Sequence, residues 1–210
     1  MENTPITRTC ALLLVLCALF TMARNEVWRT PVTLWQDAVS HSPNKGRARI
    51  NLANSLMVAG SYDAAIREFS NARMLTYRPE MPEFEKIRTR QFAGANVISI
   101  LMHTQRFAEA RKESIALWNE FPGFPAAGVA VSTFAVIDQQ PDFALKVIEM
   151  TIANLPRYPW FNPGGTLYLN RGAAYHMKED CAQANENYDL AMRVDPEITN
   201  VQLCIEEESF

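Results

Sequence analysis

Between residues 47 and 77 the chain reads RARINLANSLMVAGSYDAAIREFSNARMLTY, and its apolar positions recur at helical rather than strand spacing. Bulky residues stand at Leu52, Leu56, Tyr62 and Phe69, and small ones at Ala53, Ala65 and Ala72. A break at Ala59-Gly60-Ser61 divides the stretch into two helices, since glycine punctuates a helical pattern and favours a turn. Each helix then carries one apolar face with small notches. Small residues let two helix axes approach closely while the large ones fill the space beside them. The stretch predicts a helical hairpin.

The hairpin recurs. Residues 91–122 repeat it with Phe107 at the turn, Ala110 as the notch and Pro122 closing the unit, although Ser114 stands where a large aromatic is expected. Residues 125–156 keep Ala144, Ile148 and Pro156 but place Pro141 at the turn. Residues 165–196 restore the pattern almost completely, with Tyr168, Gly172, Tyr175, Ala184, Tyr188, Ala191 and Pro196. The first-notch alanines 65, 110, 144 and 184 lie 45, 34 and 40 residues apart, so the extra residues belong in the links 78–88 and 157–164. The first helix of the second unit is expected over Ala93–His103.

This spacing resembles the tetratricopeptide repeat (TPR), a unit of about 34 residues whose template runs bulky-x2-Leu-Gly-x2-Tyr, then Ala-x3-Phe, Ala and Pro. The resemblance implies an all-α fold, a TPR superhelical solenoid of about four helix-turn-helix repeats. The repeats are placed at 46–79, 91–122, 125–156 and 165–196, within a TPR domain spanning 25–210. Residues 25–45 form a leading half-repeat, with Thr30 as N-cap, Pro31 in the first turn, and Trp35 and Ala38 in template places. Residues 197–210 are expected to start a polar helix that seals the last repeat, as terminal units of such arrays must.

Ahead of the repeats, Cys10–Ala23 is an uncharged apolar run of 14 residues flanked by Arg8 and Arg24. A membrane span needs about 20 apolar residues, so the run is nearer the core of a signal peptide. Residues 1–24 are read as a signal peptide or a retained membrane anchor. Thr21-Met22-Ala23 offers a cleavage site, and whether it is used stays open. Glu2 and Arg8 on one side against Arg24 and Arg29 on the other do not set an orientation.

The junction at residues 24–53 carries Arg24-Asn25, Trp28, Leu34-Trp35, Asp37, Ser42-Pro43, Arg47 and Asn51-Leu52-Ala53. It resembles the passage from the last membrane helix into the TPR tail of transmembrane and TPR-containing O-mannosyltransferases and of similar bacterial membrane glycosyltransferases. That resemblance implies a tail on the extracytoplasmic (periplasmic) side and association with a membrane glycosyltransferase or envelope complex. The membrane helices and acidic loop residues of the transferase itself are missing from this sequence, so no catalytic residue is carried over.

Composition narrows the function further. The 210 residues are 48% hydrophobic and 20% charged with a net charge of −3, which allows a sizeable core and shows no basic stripe for nucleic acid. His41, His103 and His176 lack metal-type spacing, and neither a phosphate-cradling glycine loop nor a nucleophile elbow is found. Catalytic, cofactor and metal residues are therefore expected to be none. Glu68, Glu83 and Glu85 are assigned to solvated faces. Cys181 and Cys204 are read as buried free thiols rather than a bridge, because neighbouring antiparallel helices in the expected register hold them badly for a bond needing about 5.5–6 Å between α-carbons.

Binding is where the pattern is informative. The first helix of each TPR hairpin lines a concave groove, which implies partner-binding roles for Arg47, Ile50, Asn54 and Met57 from the first repeat. The second supplies Phe92, Asn96, Ser99, Met102 and His103, and the fourth Thr166, Leu169, Asn170 and His176. Asn54 and Asn96 suit a clamp for a carboxylate, but Arg47 is the lone basic residue expected beside them. A groove of Met, Ile and Phe suits an apolar segment better. The link residues Tyr158, Trp160 and Phe161 are candidates for glycan contact. The expectation is a non-enzymatic scaffold for a protein partner, membrane-anchored through residues 10–23 or exported. Two alternatives stand beside it: an accessory subunit supplying glycan-binding loops to a separate glycosyltransferase, and a self-associating structural subunit.

Overall fold

A computed structural model of the chain describes residues 5–199 and 201–205, with side chains from residue 9 onward. Among the described residues all regular structure is helical: α1 (Pro5–Val27), α2 (Pro31–His41), α3 (Gly46–Val58), α4 (Tyr62–Leu75), α5 (Glu83–His103), α6 (Phe107–Glu120), α7 (Pro125–Ile137), α8 (Pro141–Asn154), α9 (Thr166–Met177) and α10 (Cys181–Val194), with a 3-10 turn at Leu155–Arg157. The chain divides into two compact units, 1–93 and 94–210, and the division falls within α5.

In the first unit, α3 and α4 form the hairpin that the notch pattern predicts. Ala53, Ala65, Phe69 and Ala72 are fully buried and Leu52 nearly so. Gly60 makes the turn with φ +74°, a left-handed conformation that costs glycine nothing and other residues roughly 1–2 kcal/mol. Glu68 is not on a solvated face. It accepts from Arg49 Nη1 at 2.8 Å, and both side chains are about four-fifths buried, so the pair ties α3 to α4.

The half-repeat α2 starts on a capping box: Thr30 Oγ1 accepts from the Thr33 backbone N–H at 3.1 Å and Thr33 Oγ1 accepts from that of Thr30 at 3.2 Å, with Pro31 at the first turn. Arg24 at the end of α1 donates to Asp37 of α2 at 2.9 Å. The apolar run that looks short for a membrane span lies in a 23-residue helix, about 35 Å long at 1.5 Å per residue. Thr9–Val27 is long and apolar enough to cross a membrane and none of it is buried, a test that a signal sequence also passes.

The second hairpin departs from expectation at its start. α5 begins at Glu83, ten residues before Ala93, and absorbs most of the link expected over 78–88. Pro82 just ahead of the helix and acidic Glu83 and Glu85 in its first turn favour initiation there. The shortened connection is held by Arg90, whose Nε donates to the buried Thr76 hydroxyl at 2.8 Å and whose guanidinium lies over the Tyr77 ring.

In the second unit the hairpins α7/α8 and α9/α10 follow α6. Ser114, standing where the template has an aromatic, is buried and donates to the Ala110 carbonyl at 2.6 Å. Leu117 fills the space instead, in a cluster with Ile98, Phe124, Ala127 and Ala130. A second cluster joins Ala135, Ala144, Leu145, Ile148, Leu167 and Ala174. In the last hairpin Gly172 faces the Tyr188 ring so closely that an added Cβ would lie 2.5 Å from it. The turns of these hairpins place Gln105, Gln139 and Glu179 at φ 59°, 56° and 61°, the left-handed position that Gly60 occupies in the first repeat.

Two expectations at the C-terminal end are overturned. The described residues after α10 are irregular rather than helical, over 195–199 and 201–205. Residues 200 and 206–210 of the expected cap lie outside the described residues. Because this segment does not form an antiparallel helix, it brings Cys204 beside Cys181 at the start of α10. The two are disulfide-bonded with 5.0 Å between their α-carbons. Asn185 reinforces the attachment, its side-chain amide donating to the Cys204 carbonyl at 3.0 Å and accepting from the Cys204 N–H at 2.9 Å.

Candidate binding clefts

Each unit holds a cleft along its hairpins' first helices. In the first unit the cleft has a volume of about 550 Å³. Lys45, which caps α3, lines it with Arg47, Ile50, Asn51 and Asn54 of that helix. The opposing wall is the first half of α5, with Phe84, Glu85, Arg88, Thr89 and Phe92. The steps 47, 51, 54 and 84, 88, 92 are helical neighbours, so each helix presents one row of side chains to the space between them. Arg47, Ile50, Asn54 and Phe92 were expected from the sequence. Met57 is part-buried and does not line the cleft.

Lys45, Asn51, Phe84, Glu85, Arg88 and Thr89 were missed, half of them because residues 78–88 read as a link. Their signal was available in the 84, 88, 92 spacing once a helix is allowed to start beyond Pro82. They change the chemistry. Where the sequence offered Arg47 alone, three cations and one carboxylate share the lining with the apolar Ile50, Phe84 and Phe92.

The cleft of the second unit has a volume of about 430 Å³ and is nearly all apolar. Ala95, Asn96, Ile98, Ser99 and Met102 of α5 face Ala126, Val129, Ala130 and Thr133 of α7, with Phe161 and Thr166 at one end. Asn96, Ser99, Met102 and Thr166 were expected here. The α7 residues were missed, although 126, 129, 130 and 133 are one face of a helix by spacing alone. His103 is exposed and outside the lining.

Three expected groove residues of α9 lie elsewhere. Asn170 is buried, and its amide donates to Ser132 Oγ at 3.0 Å and Thr133 Oγ1 at 2.9 Å, so its polar atoms join α9 to α7. Leu169 packs on the cluster of Cys181, Ala184, Tyr188 and Cys204. The His176 Nδ1 lies 3.3 Å from the Tyr188 hydroxyl, itself in that cluster. Burial raises the Tyr188 phenol above its ordinary range. These side chains serve packing and the C-terminal seal.

The aromatic link splits into distinct roles. Tyr158 meets the buried Phe124 edge to face at 5.4 Å and belongs to the core. Trp160 stacks edge-on against Tyr158 at 5.8 Å and is 65% exposed. Phe161 follows at 6.4 Å and turns into the cleft. Elsewhere, hydrogen bonding to Asp138 raises the Arg111 pKa and hydrogen bonding to Arg106 lowers that of Glu109. Neither pair is among the cleft linings. Among the described residues no group of three or more His, Cys, Asp or Glu side chains is placed to hold a metal ion.

No protein-family model and no curated protein matches the chain. Among solved structures it is similar to YrrB, described as a TPR protein with an unusual peptide-binding site. The match covers 86% of this chain and 84% of that one, at 17% identity and a TM-score of 0.52. The fold is that of a TPR protein. At this identity the likeness concerns the fold alone, and the TPR hairpins of this chain owe their two clefts to residues of their own.

Proposed function

We propose that this TPR protein is a non-enzymatic scaffold, tethered to or exported across a membrane, that binds a protein partner along the first helices of its hairpins. The observation that carries the reading is the apolar cleft of the second unit, where Met102, Val129 and Phe161 line one space of about 430 Å³. Its walls offer methyl, thioether and aromatic surface with a few hydroxyls and an amide, which suits an apolar helix or extended segment. The peptide-binding site attributed to YrrB fits the same use of the fold.

An extracytoplasmic placement of the repeats is supported by two independent features. One is the exposed apolar helix α1. The other is the Cys181–Cys204 disulfide, since such bonds persist in oxidising compartments. The junction at 24–53, similar to that of TPR-tailed membrane glycosyltransferases, makes such an enzyme or an envelope assembly the proposed partner. The test is capture from detergent-solubilised membranes with the full chain and with Met102→Asp, which puts a charge in the cleft. A partner recovered by the first and lost by the second is expected. Recovery of none, or equal recovery by both, sinks the reading.

The exposed Trp160 favours a second reading, an accessory subunit that presents the link to a glycan while a separate transferase acts. Trp160→Ala isolates that role, because Tyr158 is part of the core and its loss would confound the result. Reduced glycan transfer with partner capture intact supports it. Unchanged transfer removes it.

A further inference from the structure

The cleft of the first unit differs from the apolar one in a way the scaffold reading does not use. Lys45, Arg47 and Arg88 are exposed and make no ion pair among the described residues, and the acid that shares the lining is Glu85. Three positive charges that share the lining with Ile50, Phe84 and Phe92, next to the N-terminal end of α3 with its partial positive charge, favour an acidic ligand with an apolar element. The chain itself contains such a segment. Residues 205–210 read IEEESF, with three consecutive glutamates between an isoleucine and a phenylalanine. Ile205 is 84% exposed, directly after the cysteine whose disulfide roots the segment on α10.

We propose that the cationic cleft of one copy of this chain receives residues 205–210 of a second copy. The dimensions agree. From residue 45 to 54 along α3 the cleft wall measures roughly 14 Å at 1.5 Å per residue. The residues after Ile205, extended, reach about 17 Å. Glu206, Glu207 and Glu208 would meet Lys45, Arg47 and Arg88, and Phe210 would add apolar surface against Phe84 and Phe92. A contact of this kind joins unlike surfaces, so a pair of copies keeps one unused cleft, on the donor, and one unused segment, on the acceptor. Such heterologous association builds rings or open chains rather than stopping at a two-fold dimer.

The assignment shares with the proposed function only the idea that the hairpins' first helices are ligand-facing, and its test uses different residues. The full chain in detergent micelles is followed by sedimentation over a range of concentrations. Its mass is expected to rise with concentration at about 50 mM salt and to fall as salt screens the charges over a shorter length. Arg88→Glu is expected to weaken association by about tenfold or more, since it turns an attraction into a repulsion. Lysine at positions 206–208 should do the same from the other side. Placing Arg88→Glu with lysine at position 207 alone, so that one charge pair is inverted and the others are kept, should restore part of the association. Met102→Asp should leave it unchanged.

Synthetic IEEESF peptide should compete with association in the unaltered chain and fail to bind Arg88→Glu. Three outcomes overturn the proposal. Association could survive both charge changes. The chain could stay monomeric at every concentration while the peptide binds, which assigns the cleft to an acidic segment of another protein. The charge-swapped chain could also fail to recover.

Discussion

The third and fourth repeats, both in the second unit, stay folded by different means. The third, at 125–156, has the poorest template match, yet α7 buries Pro125, Ala127, Gly128, Ala130, Val131, Ser132, Phe134 and Ala135, residues distributed around much of the helix. It packs on α6, α8 and α9, so few of its positions need to be polar. The fourth, at 165–196, matches the template best, and its α9 buries only Leu167, Asn170, Gly172 and Ala174. Beyond it lies an irregular segment held by a disulfide and by Asn185. A template records what one hairpin needs internally, and the flanks decide the rest. A repeat with a hairpin on each side can satisfy both flanks with apolar surface and abandon the template, whereas a repeat followed by an irregular segment depends on it and adds a covalent seal.

The largest effect expected from this contrast is in the third repeat. Ile148 is fully buried among Ala144, Leu145, Leu167 and Ala174, so Ile148→Ala should cost roughly 2–5 kcal/mol through lost transfer energy and the cavity left behind. Denaturant unfolding of the second unit measures it. A loss below about 1 kcal/mol would mean that the degenerate repeat is loosely packed, and the contrast would collapse.

The next effect belongs to the fourth repeat. Changing Cys181 and Cys204 to serine opens a bridge with a sequence separation of 23, worth about 3 kcal/mol in the chain-entropy account. Hydrogen exchange should lose protection in α9 and α10 while α7 and α8 keep theirs. Equal loss across both hairpins would show that the seal stabilises the whole unit and that the two repeats do not differ as argued. Retained protection throughout would leave the Asn185 hydrogen bonds as the sufficient tie.

Much of this organisation is legible in the sequence because one small residue marks each hairpin, and the turns found in the structure keep step with it. The notch alanines 65, 110, 144 and 184 and the left-handed turn residues 60, 105, 139 and 179 keep the same intervals of 45, 34 and 40. The start of α5 is not legible in the same way, because Pro82 reads equally as a breaker and as a residue placed ahead of a helix. That ambiguity hides Phe84 and Arg88, and with them the charge of the first cleft. The disulfide is missed for a related reason. Its geometry depends on the path of 195–205, where no periodic pattern exists to extrapolate.

Leu169, Asn170 and His176 of α9 lie outside the clefts because the template cannot say which residues are consumed inside the fold, and Asn170 is consumed by Ser132 and Thr133. In the first and second repeats the projected faces remain open, and Arg47, Ile50, Asn54, Phe92, Asn96, Ser99 and Met102 line the two clefts. The site is therefore readable where a helix face is uncovered and unreadable where a neighbour covers it.

The smallest expected effect probes the same seal through protons. Burial of Tyr188 in the cluster with Cys181, Ala184 and Cys204 favours its neutral phenol, so its pKa is higher in the folded protein than in the unfolded chain. Below about pH 10, the unperturbed value, the phenol is neutral in both states and the burial is fully favourable. As pH rises past that value the unfolded chain releases its proton first, and stability falls until the folded phenol also ionises. Unfolding of the second unit should thus show an alkaline decline that Tyr188→Phe removes, while lysine titration leaves a common background in both proteins. The decline should shrink after the disulfide is opened, because water reaching Tyr188 by way of the released segment brings its folded-state pKa back toward the unfolded value. An alkaline limb identical in the tyrosine and phenylalanine proteins would place the sealing energy of the fourth repeat in the disulfide and Asn185 alone.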